Sequence, residues 1–175
     1  ILTLENLAFQ VQKMRKWFFC LASLLAFLLA CAPISQQSLK DVDSAISFQV
    51  LLKDPEKYKG KLVLLGGQIM ATSIEQGETW VEVLQHPLDW RQYPEDPDVS
   101  YGRFLLHFKD LRDPAVYTKG RKITALGEVE GQRVLPLQKI DYTYPVLIPR
   151  ESYLWKSEAE GGPFLQFGVG VGVSR

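Results

Sequence analysis

The chain has 175 residues and equal numbers of acidic and basic side chains, 20 of each. That length suits one ordinary domain, and 46% hydrophobic with 23% charged residues describes a globular protein rather than a disordered one. A formal net charge of +0 argues against a dedicated nucleic-acid binder, and two Cys with two His are too few for a Cys/His zinc site or a multi-disulfide framework.

The first Met is Met14, followed by Arg15, Lys16 and a charge-free run from Trp17 to Ala30. A basic start, a short apolar stretch and a small residue before a cut make a signal peptide. The run is shorter than the roughly 20 residues that a membrane-spanning helix needs. Residues 1–13 read as translated upstream sequence, and residues 14–30 as the signal-peptide helix. The run ends Leu28-Leu29-Ala30-Cys31, the Leu–x–small–Cys pattern of a lipobox. In that pattern the Cys31 sulfur takes a diacylglycerol, the chain is cut before it, and the new amino group is acylated. Two or more chains anchor stably where one does not, since each buried CH₂ contributes about 0.8 kcal/mol. Cys20 lies within the discarded run, so Cys31 is the only Cys of the mature chain and acylation removes its thiol. Residue 32 is Ala rather than the Asp that holds lipoproteins in an inner membrane, which favours the outer membrane.

Loss of residues 1–30 removes Lys13, Arg15, Lys16 and one acid, Glu5, so no basic patch is concealed by the signal. Residues 31–43 are polar and read as a tether. Ser44 to Leu52 reads as a short helix stopped before Asp54-Pro55. Five strand-like segments follow: Leu62–Thr72, Thr79–Leu84, Arg103–Phe108, Lys122–Glu130 and Leu137–Ile148. A Pro/Asp-rich loop, Pro87 to Ser100, separates the second from the third.

Two stretches echo one another. Asp54-Pro55 leads through Tyr58 to Gly60-Lys61, then Val63, Gly67 and Ile69; Asp113-Pro114 leads through Tyr117 to Gly120-Arg121, then Ile123, Gly127 and Val129. Asp at an N-cap with Pro behind it starts a helical turn, and Gly ends it. The Gly within each following strand marks a bulge or tight bend. The expected fold is therefore all-β: a five-stranded, partly open OB-like barrel with short helices before strands 1 and 4, over residues 44–155. Residues 156–175 form a tail.

The ordered set of motifs resembles the Slp family of bacterial outer-membrane lipoproteins, named for starvation induction. The matching residues are the lipobox with Cys31, then Tyr58-x-Gly60-x-x-Val63-x-x-Gly66-Gly67-x-Ile69, and Thr79-x-x-Glu82-Val83 with Pro87-Leu88. They continue with Gly102-Arg103-Phe104, Asp113-Pro114-x-x-Tyr117-x-x-Gly120-Arg121-x-Ile123-Thr124-x-x-Gly127, and Tyr142-x-Tyr144-Pro145-Val146. The resemblance implies an outer-membrane lipoprotein whose β domain faces the periplasm. It brings no catalytic residues.

The residues themselves offer no catalytic centre. No Gly-x-Ser-x-Gly elbow is present, and Gly66-Gly67 lacks the Lys-Ser/Thr of a phosphate loop. His86 and His107 read as ordinary surface or half-buried imidazoles, and Glu95, Asp96 and Asp98 as a solvated acidic loop, so no metal site is expected. Trp80, Trp90, Tyr142, Tyr144, Tyr153 and Trp155 are many aromatics for a small domain. OB folds bind sugars or single strands through such residues. Trp80, Arg103, Tyr142 and Tyr144 are therefore candidates for ligand or partner contact, against the plainer reading of core packing. Arg103 and Arg121 each follow a Gly at a strand start, placed to read an anion or to pair on the surface. The expectation is a non-enzymatic envelope lipoprotein that meets the outer membrane through its acyl chains and an envelope protein as partner. The alternative is a binding module for an envelope glycan. Neither nucleic acid nor any cofactor beyond the covalent diacylglycerol and N-acyl chain on Cys31 is expected.

Overall fold

Alternating apolar residues form five strands in a computed structural model that describes residues 33–95 and 100–156. The strands are β1 (Leu62–Glu75), β2 (Glu78–His86), β3 (Arg103–Phe108), β4 (Lys122–Leu137) and β5 (Ile140–Leu154). They follow one another in the order β1-β2-β3-β5-β4, and β4 returns to β1 to close the ring. All pairings are antiparallel except β3 with β5, a parallel seam of two register pairs, Leu105↔Val146 and Leu106↔Leu147. This is the OB-like barrel expected, with its ring closed by that short seam. Gln76 and Gly77, at φ 53° and 85°, make the tight β1–β2 turn, where positive φ matches the twist of the strands.

The interior is filled by one side of every strand: Val63 and Ile69, Val81 and Val83, Phe104 and Leu106, Ile123 and Val129, and Leu147 are all at most 1% exposed. Two short helices precede the barrel, α1 (Gln36–Leu39) and α2 (Phe48–Lys53). The Ser47 hydroxyl caps α2 by accepting from the Val50 amide. The helix buries Phe48 and Leu51 in the same core, with the Phe48 ring 6.0 Å from that of Phe104.

The echoed units both end on a left-handed glycine. Asp54 caps a 3₁₀ turn, Pro55–Tyr58, and Gly60 (φ 79°) donates its N–H to Val129 of β4 at 2.8 Å. Gly120 (φ 93°) donates to Ile69 of β1, also at 2.8 Å. Each unit thus clips the strand that the other unit feeds. The second is a single turn, not the helix expected before β4. The Tyr117 carbonyl is taken by the Thr72 hydroxyl at 2.7 Å and its ring packs edge-on against Phe108 at 5.5 Å, so the chain turns away after one turn.

The last hairpin is longer than the sequence pattern indicates. Strand β4 continues past Glu130 to Leu137, and β5 runs from Ile140 to Leu154. Beyond Glu128, β4 pairs with β5 alone, and register shifts at Leu126/Gly127 and Val129/Gly131 turn this arm out of the ring. A Pro at 136 is tolerated there because the other edge of β4 has no ladder to break. The expected tether is likewise more than a leash. Ile34 is completely buried, and its amide donates to the Gln92 side chain at 3.1 Å. The Ser35 amide and hydroxyl both donate to Glu151 at 2.9 Å. The signal-peptide helix lies outside the described residues.

Gly67 and Gly127 differ in how much they tolerate. A Cβ on Gly67 would overlap the Leu84 carbonyl of the neighbouring strand, whereas one on Gly127 would lie 3.1 Å from the Ile148 carbonyl oxygen and the Leu147 Cβ. Gly67→Ala is expected to cost about 3 kcal/mol, the upper range of overpacking penalties, and Gly127→Ala about 1 kcal/mol. Urea titration of both variants checks this, and equal losses would show that the close approach at Gly67 does not constrain the barrel.

Candidate functional site

The outward faces of β2 and β3 carry the chemistry. Along β2 these are Glu78, Trp80 and Glu82; along β3, Arg103, Leu105 and His107, with Lys109 just past its end. Trp80 and His107 are register partners, and their rings stack at 3.7 Å with 15° between planes. The β4–β5 arm folds over this face. The Arg133 guanidinium lies 4.5 Å above the Trp80 ring and bonds Glu75 at 2.9 Å. Leu105, Tyr144 and Val146 form a second apolar cluster, joined by Trp80, Leu135 and Tyr142.

The four residues expected to contact a ligand are thus brought together, but they are spent on one another. Arg103 bonds Glu82 at 2.5 Å, and the Tyr144 hydroxyl donates to the same Glu82 oxygen at 3.2 Å. The Tyr142 hydroxyl accepts from the Arg103 amide at 2.9 Å, and the two Tyr rings meet edge-on at 4.6 Å. Burial first, and the Glu82 charge second, push the Tyr144 hydroxyl up to about 12. Arg121 is equally engaged, donating to the carbonyls of Trp155 and Val116. Of the two readings for Arg121, an anion reader or a paired surface cation, these contacts are of the paired kind.

Both histidines are buried, contrary to the surface or half-buried reading. His86 Nδ1 lies 2.7 Å from the Glu95 carbonyl, which can only accept. His107 is held at both nitrogens: Nδ1 is 2.7 Å from Glu130 and Nε2 is 2.6 Å from Glu78. Ionised carboxylates only accept, so the two contacts need two protons shared among the three groups. Lys109 bonds Glu130 at 3.1 Å. Partial burial raises the Glu130 carboxyl, but the bonds from His107 and Lys109 outweigh it and hold the group below its usual value. The carboxylates flank opposite ring edges and do not converge on one point. Among the described residues no group of three or more His, Cys, Asp or Glu is arranged to hold a metal ion. Asp96 and Asp98 of the acidic loop lie outside the described residues.

Space around Trp80 is limited. A cavity of about 90 Å³ lies between it, Glu75, Glu82 and Leu135, and one of about 230 Å³ lies toward Glu56, Lys59 and Gln132. Both fall short of the several hundred Å³ usual for small-molecule sites. An open groove of about 560 Å³ runs along Arg103 and the arm tip, Leu137 to Ile140, with no aromatic ring in its wall.

The profile of the family described as "Outer membrane lipoprotein Slp family" matches residues 28–166. The chain belongs to this family. It is also 34% identical over 98 residues to an uncharacterised protein of Haemophilus influenzae, covering 54% of this chain and 52% of the relative. Over 100 residues it is 30% identical to the uncharacterised lipoprotein YeaY of Escherichia coli, covering 57% of this chain and 47% of the relative. The chain thus spans about half the length of these curated relatives. The family makes it an outer-membrane lipoprotein. The lipobox residues Leu28, Leu29 and Ala30, and Cys31 itself, lie outside the described residues.

The Glu78–His107–Glu130 clamp gives a pH signature. The Glu130 carboxyl is held below its ordinary value of 4.5, so its stabilisation is fully present above that pH and is lost as pH falls through the lowered value. Glu130→Gln is expected to cost about 1 kcal/mol near neutral pH, a charge-assisted bond discounted for partial exposure. The gap between wild type and variant should close below the carboxylate range. Urea midpoints measured from pH 3 to 7 check this.

Proposed function

We propose that this protein is a non-enzymatic envelope lipoprotein, held on the periplasmic side of the outer membrane by acyl chains on Cys31. Its barrel supports envelope structure, or binds an envelope protein, under starvation or other stress. Location in the outer membrane follows from the family. The Leu28–Cys31 lipobox behind a basic, apolar leader supports the anchor. The observation that carries the rest is the covered β2–β3 face. Arg133 of the β4–β5 arm covers Trp80, and Tyr142 and Tyr144 of the same arm engage Arg103 through its amide and through Glu82, which favours structural or protein-binding work over a stacking groove for sugars. The glycan-binding alternative would have to use the groove at the arm tip, whose wall offers Arg103 and Lys139 but no ring to stack on.

The anchor is tested through Cys31. Cys31→Ser removes the acceptor of the diacylglycerol, so fatty-acid labelling should vanish and the precursor should stay uncut or leave the outer membrane. Cys20→Ser should change neither labelling nor location. Labelling that survives Cys31→Ser, or wild-type protein recovered wholly in the soluble fraction, would overturn the reading.

A further inference from the structure

We propose that the end of the barrel beside the tether is a membrane-contact surface, with Trp90 seated in the headgroup layer of the bilayer that holds the anchor. The inference rests on acylation of Cys31, and it adds a second attachment made by the folded domain itself.

The tether is docked, which fixes where the anchor can be. Ile34 is fully buried and bonded to Gln92, and Ser35 is bonded to Glu151. Cys31 precedes Ile34 by three residues, a reach of at most roughly 11 Å. A bilayer gripping Cys31 therefore lies against this end of the domain. Trp90 stands two residues from Gln92 and is 90% exposed, more than any other large apolar side chain among the described residues. A Trp in that state gains by entering a headgroup layer, where its apolar ring is buried and its N–H stays wet.

The loop that presents Trp90 is built, not slack. The Asp89 carboxylate accepts from the amides of Arg91 and Tyr93, each at 2.8 Å. Asp89 and Tyr93 are joined again by a backbone bond of 2.9 Å, and Leu88 bridges Pro94. The Gln92 carbonyl accepts from Thr124 of β4 at 2.6 Å, which ties the turn to the barrel wall. Further aromatics lie alongside. Trp155 donates its indole N–H to the same Thr124 hydroxyl, and its ring meets those of Tyr93 at 4.9 Å and Tyr153 at 4.7 Å. Tyr153 is 41% exposed. Arg91 pairs with Asp89 at 3.0 Å and its guanidinium lies 5.6 Å from the centre of the Trp90 ring, so ring and cation are presented together, as in a headgroup layer. The chemistry fits a lipid surface reached at short range.

The test uses the mature acylated protein reconstituted into phosphatidylethanolamine/phosphatidylglycerol vesicles, with and without bromine on the acyl chains. Flotation of the vesicles reports the anchor. Tryptophan quenching by the brominated chains reports the contact. Wild type should float, its emission should shift to the blue, and bromine should quench a fraction that Trp90→Phe removes for the most part. Because Trp90 is exposed, its variant should keep the wild-type urea midpoint, which separates the contact from folding. Protein that fails to float, with no acyl label, defeats the anchor reading. Protein that floats while Trp90 stays quenchable by aqueous iodide and not by bromine overturns the contact and leaves the anchor standing. Equal bromine quenching in wild type and Trp90→Phe also overturns it.

Discussion

Gly66, Gly67 and Gln68 are the stretch of β1 paired on both edges, to Thr124, Ile123 and Lys122 of β4 and to His86, Gln85 and Leu84 of β2. Before them β1 belongs to β4, and after them to β2. The ring can close only if the strand turns its edge from one neighbour to the other within these residues. That turn presses the Leu84 carbonyl into the place a Cβ at Gly67 would take. A side chain there would push β2 outward and carry Val81 and Val83 out of the interior. The parallel seam between β3 and β5 has only two register pairs and is too short to hold the ring against that displacement. The closed core, and the outer face that Trp80 and His107 share, both follow from this corner.

The barrel was legible because its determinants are local. Alternation marked the strands, Asp-Pro and Gly marked the two turns, and the paired glycines marked the corner. Two things were hidden. The alternating pattern ends the fourth strand at Glu130, since Gly and Pro disfavour a strand with two neighbours, whereas Gly131 and Pro136 are tolerated in one with a single neighbour. His107 is unremarkable in the sequence because its surroundings come from three separate segments: Glu78 and Trp80 on β2, Lys109 just past β3 and Glu130 on β4. One signal was available. In Glu78–Glu82 and Arg103–Lys109 the row opposite the core alternates charges with Trp80 and Leu105, a mixture unsuited to open water. A strand with large apolar residues on both faces asks for a second cover.

The domain has two such covers, and they divide the molecule's aromatic residues between different fates. The arm lies over β2 and β3 and takes Trp80, Tyr142 and Tyr144 into a closed cluster. The docked tether and the loop after β2 lie against the wall near Thr124 and Glu151, and they leave Trp90 outside. The difference was not readable from residue type, since a Trp is equally suited to either place. It follows from which segments have a partner strand within reach.

The arm also sets the terms for any ligand on the β2–β3 face. It is tethered to the barrel by the β4–β5 ladder, which runs with two register shifts from Ile123↔Leu154 to Leu137↔Ile140, so it competes with an external sugar or peptide as an intramolecular partner at high effective concentration. A ligand seeking the Trp80 ring must displace Arg133 from above it or His107 from below. Displacing His107 would leave Glu78 and Glu130 with Lys109 as the donor beside them, at 4.0 and 3.1 Å. Binding at that face is therefore coupled to opening of the arm, and a ligand lowers the free energy of the open form only by its preference for that form. The surface that presents Trp90 carries no such condition. Its exposed Trp is already presented, so a contact there requires no rearrangement of the fold.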